Sequence, residues 1–159
     1  MRVGIGYDIH RLENNHDLIL GGVEFDHIKG LVGHSDADVL IHALIDALLG
    51  AAALGDIGQH FPDTDKEYEG INSMILLKKT YDLLKDNVYK INNIDLIIIA
   101  EIPKIAPHKE KIISNLLNVL QLENGQVNLK ATTSEGLGFI GEKKGIAAKA
   151  IVSLTKNEV

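Results

Sequence analysis

Residues 2–10 alternate strictly. Val3, Ile5, Tyr7 and Ile9 fall on one side and Gly4, Gly6, Asp8 and His10 on the other, which predicts a strand with one polar, glycine-lined face. A short hairpin is expected over 18–25 around Gly21-Gly22, and 28–33 reads as loop. The period then changes. Ala37, Leu40, Ile41, Leu44, Ile45, Leu48, Leu49 and Ala52 recur at helical spacing and predict a helix over about 36–53, with Ser35 and Asp38 resembling a capping box. Residues 54–70 hold Gly55, Gly58, Pro62 and several acids and read as a long loop, a kind that often carries function.

A second helix is expected over about 72–87 on Met74, Leu77, Tyr81, Leu84 and Val88. The apolar run 94–100 has the length of a buried strand. Pro107 opens a third helix reaching about Leu120, with Asn124-Gly125 as its stop. Val127, Leu129 and Ala131 alternate with Asn128, Lys130 and Thr132, giving another strand. Residues 133–145 form a glycine-rich loop. In 146–155 the alternation of Ile146, Ala148, Ala150 and Val152 favours a long strand over a helix. The expectation is one α/β (α+β) domain over 1–159. It has a single mixed sheet of about four long strands, three helices on one face and a short hairpin. The apolar strand faces then need a cover that three helices do not supply on both sides.

Composition narrows the chemistry. Among 159 residues 45% are hydrophobic and 24% charged, a normal globular balance. A net charge of -6 argues against a nucleic-acid partner. No apolar run approaches the ~20 residues that span a bilayer, so no membrane role is expected. The first residues already read as strand rather than as a targeting peptide, and a cytoplasmic location is expected. With no cysteine, any metal must use His, Asp or Glu. Arg2 and Arg11 are the only arginines, so backbone N–H groups, hydroxyls and metal ions would carry most phosphate binding.

Asp8-x-His10 on a strand turns both side chains to one side, toward one ion. His42 offers a third ligand from the first helix. Three N and O ligands leave the fourth tetrahedral position open, the catalytic zinc pattern; a buried Asp–His hydrogen bond at a strand end fits the same spacing. Asp38 and Asp46 lie four residues either side of His42. Either could accept from the imidazole nitrogen turned away from a metal, or both could form a solvated stripe. His34-Ser35, at the expected helix start, suits a phosphate or a plain N-cap.

The acids of Gly55-Asp56-Ile57-Gly58 and of Phe61-Pro62-Asp63-Thr64-Asp65 can bind hydroxyls, although turn chemistry is the simpler account. Thr132, Thr133, Ser134 and Glu135 suit a phosphate with a divalent metal, or simply end a β-strand. Between Ala100 and Pro107, Pro103 and Pro107 make a stiff rim that could recognise a base, or an ordinary strand-to-helix connection. His16, His27, His60 and His108 have no partner pattern and read as surface or packing residues.

Taken in order, these segments resemble the 2-C-methyl-D-erythritol 2,4-cyclodiphosphate synthase family. The resemblance is carried by Gly-Tyr-Asp-Ile-His at 6–10, Gly-Gly-Val at 21–23, His-Ser-Asp-Ala-Asp-Val at 34–39 and His42-Ala43-Leu44. It continues through 46–58, Phe-Pro-Asp-Thr-Asp at 61–65, Lys-Ala-Thr-Thr-Ser-Glu at 130–135 and Leu-Gly-Phe at 137–139. It implies a homotrimer packed through the sheet face away from the helices, with active sites between subunits. It implies zinc on Asp8, His10 and His42, and conversion of 4-diphosphocytidyl-2-C-methyl-D-erythritol 2-phosphate to the cyclic diphosphate and CMP. Glu135 matches the residue that helps hold a second divalent cation, magnesium or manganese. With Glu135, His34 and Thr133 match the catalytic positions.

The methylerythritol and phosphate pocket matches Asp56, Ile57, Gly58 and the stretch Phe61, Pro62, Asp63, Thr64, Asp65, and Ser35 is a further implied substrate contact. Ala100, Pro103, Lys104 and Ala106 match cytidine and diphosphate contacts from a neighbouring subunit. Thr132, Ser134 and Phe139 complete the implied substrate contacts. This chain departs from many relatives at Glu142, where they carry arginine, and at Lys149, where they carry glutamate. The swap is consistent with an ion pair of reversed polarity near the trimer axis. It removes Glu142 as a phosphate contact and makes Lys149 the cation for an isoprenoid diphosphate in a central cavity. Two other readings fit the motifs less fully: a zinc phosphohydrolase, which lacks an evident general base near the metal, and a non-catalytic cytidine-nucleotide binding module.

Overall fold

The computed structural model describes residues 1–156. Its frame is a five-stranded sheet in the order β4-β1-β7-β5-β6. The strands are β1 (Arg2–Asn14), β4 (Lys29–Val32), β5 (Tyr89–Ile99), β6 (Val127–Thr132) and β7 (Gly145–Lys156). All neighbours are antiparallel except β5 and β6, which run parallel across the connection that carries α4 (Lys109–Leu120). A two-stranded hairpin, β2 (Leu18–Leu20) with β3 (Val23–Phe25), turns at Gly21-Gly22, both in the left-handed region.

The two faces of β1 are now told apart. Its glycine side is buried, and its apolar side faces out. A Cβ on Gly4 would lie 2.0 Å from the Ala47 carbonyl oxygen, and one on Gly6 would lie 1.8 Å from that of Ala43. Only glycine lets α1 (Val39–Ala52) lie this close to the strand. Leu40, Ile41, Leu44, Ile45, Leu48 and Leu49 of α1 are all fully buried, so α1 is the central helix, apolar except for the stripe that bears His42 and Asp46. It packs on β1 and β7 on one side and on α3 (Ser73–Asp86) on another. Ile94, Leu96 and Ile98 of β5 and Ala148, Ala150 and Val152 of β7 complete the core beneath it. On the outer sheet face Val3, Ile5, Tyr7 and Ile151 remain between 48% and 70% exposed, an apolar patch that no element among the described residues covers.

Four expectations are corrected. Residues 29–32 are strand, not loop: they pair with Arg11–Asn14 at the sheet edge, an arrangement set by the partner and not by local pattern. The helix cap is Asp38 itself, whose carboxylate accepts from Ile41 N–H, so 36–38 lie before the helix and Ser35 takes no part in a capping box. Asn124-Gly125 does not end α4. Gln121 does, in a left-handed conformation with its N–H turned back to Leu117 and Asn118, while Gly125 serves the turn into β6. The two expected loops also hold short helices, α2 (Ile57–His60) and α5 (Gly138–Gly141), and a 3-10 turn at Lys66–Tyr68. The sheet therefore has five strands, four of them the long or medium strands expected.

Candidate metal centre

Asp8 and His10 leave the inner face of β1 two residues apart, and His42 descends from the first turns of α1. The close approach at Gly4 and Gly6 brings the three side chains into one cluster. His10 Nε2 lies 2.9 Å from Asp8 Oδ2, His42 Nδ1 lies 3.1 Å from the same oxygen, and the two nitrogens are 3.2 Å apart. Ligand atoms ~2.0–2.2 Å from a shared tetrahedral ion lie roughly 3.3–3.6 Å apart. The triad matches that spacing to within a few tenths of an ångström, so its donors fit a single small divalent ion. Among the described residues this is the sole group of three or more His, Asp or Glu side chains so arranged.

Tautomers are set from behind. His10 Nδ1 donates to the Val32 carbonyl at 2.9 Å, leaving its Nε2 lone pair facing the cluster. The far nitrogen of His42, Nε2, lies 3.0 Å from both Ser35 Oγ and Ser73 Oγ. Neither Asp38 nor Asp46 fills that role, contrary to the spacing argument. Asp38 is fully buried and turned toward the hairpin, where it accepts from Gly21 N–H (3.0 Å) and Gly22 N–H (2.8 Å). Asp46 accepts from Ile57 N–H at 2.8 Å and so fastens α2 to α1.

Charges follow this layout. Burial pushes the Asp8 carboxyl up, but its close contacts and charge interactions with His10 and His42 outweigh it and hold Asp8 well below the usual carboxylate range. Burial disfavours protonated His10, yet its bond to Asp8 wins and raises it above 6.5. Complete burial pushes Asp38 up to about 6 against the pull of its three N–H donors. Burial also raises Asp46, opposed by the Ile57 N–H.

A cavity of about 210 Å³ opens beside the triad. Of the residues singled out in the sequence, it is lined by Asp8, His10, His34, Ser35, His42, Asp46, Ile57, Gly58, Phe61 and Asp63. Tyr68 and Leu76, which carry no local motif, also line it. His34 Nε2 is the one buried side-chain nitrogen or oxygen without a hydrogen-bond partner among the described residues. Asp56 and Asp65 serve as caps, accepting from Gln59 N–H and Glu67 N–H, and Pro62 and Thr64 do not line the cavity.

The remaining candidates gather elsewhere. Ala100 N–H donates to Thr132 O, and Glu101, which no motif flagged, accepts from Ser134 N–H (2.8 Å) and Gly136 N–H (3.3 Å). Thr133, Glu135, Lys104 and Ala106 are exposed beside them, with Pro103 partly so. Across the sheet, His10 pairs with Ile146, and Ile99 pairs with both Ala147 and Thr132. Two strands, β7 and β5, thus intervene between the triad and the 132–135 segment, a gap of roughly 14 Å at ~4.8 Å per strand. Phe139 lines a different hollow, with Arg11, Lys29, Glu142 and Lys144 among its walls. Glu142 pairs with Lys144, and Lys149 lies 5.8 Å from the Tyr7 ring centroid, so within one chain the charge-swapped residues each have another partner.

The model of the YgbB family matches residues 1–155. The chain belongs to the YgbB family. A family relative from Clostridioides difficile, 2-C-methyl-D-erythritol 2,4-cyclodiphosphate synthase, is 58% identical over 154 residues, 97% of this chain and 96% of the relative. Among solved YgbB-type structures, the bifunctional IspDF of Campylobacter jejuni superposes with a TM-score of 0.94 at 44% identity. The match covers 99% of this chain and 42% of that one. The CDP complex of Plasmodium falciparum IspF gives 0.85 at 38% identity, covering 98% and 97%. No helix among the described residues is long and apolar enough to cross a membrane.

Proposed function

We propose that this chain converts 4-diphosphocytidyl-2-C-methyl-D-erythritol 2-phosphate to 2-C-methyl-D-erythritol 2,4-cyclodiphosphate with release of CMP, in isoprenoid biosynthesis. The observation that carries this reading is the Asp8–His10–His42 triad opening on a cavity into which family-matched residues converge. The reaction is a phosphorus–oxygen lyase step. An oxygen of the substrate's 2-phosphate bonds to the β-phosphorus of its own diphosphate, and the bond from that phosphorus to the bridging oxygen breaks, so that CMP leaves. Because attack is intramolecular, the protein supplies no nucleophile. Its work is to fold the substrate and to stabilise charge.

Asp8, His10 and His42 would hold zinc, the borderline ion that a N/O triad with an open fourth position favours. When bound, zinc supplies Lewis acidity and a template for phosphate oxygens. His34, with its unpartnered Nε2, donates to a phosphate oxygen. Ser35 adds a hydroxyl, and Ile57, Gly58, Phe61 and Asp63 enclose the methylerythritol, with Asp56 and Asp65 capping the turns that carry them. Thr133 and Glu135 serve the diphosphate, with Glu135 helping to hold magnesium or manganese, and Ala100, Pro103, Lys104 and Ala106 receive the cytidine.

The two-strand gap between the triad and 132–135 supports a homotrimer in which each site draws on two neighbouring copies. So does the uncovered apolar face at Val3, Ile5 and Tyr7. Lys149, on that face, would meet an isoprenoid diphosphate in the central cavity. A cytoplasmic location belongs to the same proposal, in keeping with a soluble, charged nucleotide substrate.

Incubation of the purified protein with this substrate, zinc and magnesium, followed by phosphorus NMR, tests the reading. Cyclic diphosphate with CMP is expected. Inorganic phosphate or an open diphosphate would indicate a hydrolase, and bound but unchanged substrate a nucleotide-binding module; either result overturns the proposal. Mixing Asp8→Ala with Glu135→Gln subunits should restore part of the activity that each lacks alone, and no recovery after exchange would rule out shared sites.

A further inference from the structure

Behind His42 lies a half-buried chain of polar groups that the reaction itself does not use. Ser73, the first residue of α3, is fully buried. Its Oγ stands 3.0 Å from His42 Nε2 on one side and forms a short hydrogen bond with Asp36 Oδ1 on the other. Asp36 Oδ1 also accepts from Asp38 N–H (3.2 Å), and Asp36 Oδ2 accepts from Ser73 N–H (2.9 Å). Both carboxylate oxygens are thus already acceptors.

The protons can be counted. A serine hydroxyl has one hydrogen and two lone pairs. Facing a carboxylate that accepts from every side, Ser73 must direct its hydrogen to Asp36. Its oxygen is then an acceptor only, and the partner 3.0 Å away must donate. His42 Nε2 therefore carries a hydrogen, so in the neutral ring Nδ1, which faces Asp8 and His10, carries the lone pair. Ser35 Oγ, also 3.0 Å from Nε2, accepts from Ala37 N–H and can share the same hydrogen but does not fix it.

We infer that Asp36 and Ser73 are positioning residues. Neither touches substrate or metal, and together they lock His42 in the tautomer that presents Nδ1 to a metal, raising its affinity. The second half of this inference rests on the metal assignment above; the tautomer does not.

The test is long-range ¹⁵N–¹H NMR of histidine-labelled protein, metal-free and zinc-loaded, with zinc affinity measured by chelator competition. Parent metal-free protein at pH 8 should show His42 protonated on Nε2. Ser73→Ala should weaken zinc binding about 10–100-fold, as outer-shell partners of metal-bound histidine do, and should mix the His42 tautomers. Ser35→Ala should leave the Nε2-protonated pattern in place. A parent spectrum with the hydrogen on Nδ1 would overturn the inference even if the variants fail to fold. Zinc affinity of folded Ser73→Ala within twofold of the parent, with an unchanged spectrum, would do the same. A parent that shows the Nε2 tautomer but binds no zinc at the triad would sink the metal assignment instead.

Discussion

Gly6 faces the Ala43 carbonyl oxygen so closely that a methyl group at Gly6 would lie 1.8 Å from it. The obstacle is helix backbone, which cannot rotate aside. Gly6→Ala must push α1 off β1, and with it His42 away from Asp8 and His10. The expected loss of stability exceeds ~3 kcal/mol, above the usual 1–3 kcal/mol of core overpacking. Urea unfolding and soluble yield measure it. A variant as stable as the parent would show that strand and helix are not in this contact.

The triad gives the metal-free protein a pH signature. Asp8 sits below its ordinary 3.8, so its contribution is present above about pH 4 and is lost as pH falls through its depressed value. His10 sits above 6.5, so its contribution is full below 6.5 and is lost as pH rises through its raised value. The thermal midpoint of the metal-free parent should therefore exceed that of Asp8→Asn most between about pH 4 and 6.5. A difference that is flat with pH would contradict the pairing. Protons on His10 also compete with metal, so metal uptake should strengthen from pH 6 to pH 8 in a chelator titration.

Asp38 accepts three backbone N–H groups in a fully buried position. In Asp38→Asn one oxygen becomes an amide donor facing another donor. A buried group left unpaired costs about 1–3 kcal/mol. The denaturation midpoint should fall accordingly, and hydrogen exchange at Gly21 and Gly22 should quicken. Unchanged exchange there would argue against the clamp.

Asp46 holds the Ile57 N–H and so fixes the cavity wall at 57–58 without being a triad ligand. Asp46→Ala should keep bound metal near parent levels while raising KM about tenfold, in line with lost substrate positioning. Metal analysis beside steady-state kinetics separates the two effects. Loss of metal in step with activity would assign Asp46 to the metal instead.

Much of this arrangement was legible in the sequence. Period-two and period-3.6 patterns located β1, α1, α3, β6 and β7, and the i, i+2 geometry of a strand put Asp8 beside His10. What sequence could not supply was partnership across distance. The four residues of β4 become strand only by pairing with β1. Ser73, 31 residues from His42, belongs to the triad's surroundings only because α3 starts against α1. Spacing within one helix favoured Asp38 and Asp46 as partners of His42, yet both answer to other elements. The alternation in β1 identified its two faces but not which one is buried. Gly4 and Gly6 decide that, because a helix backbone can approach only where side chains are missing.

The shortest strand of the five-stranded sheet carries one more consequence. Val32 in β4 holds His10 by Nδ1, and a Cβ on adjacent Gly33 would come within 3.0 Å of His10 Cε1. A library of random variants sorted on retained metal alone, blind to turnover, should thus return hits across 29–33 as well as at the ligands. Edge pairing there would behave as a remote control on ion retention, and damage to it would look like a cofactor-supply defect rather than a folding one.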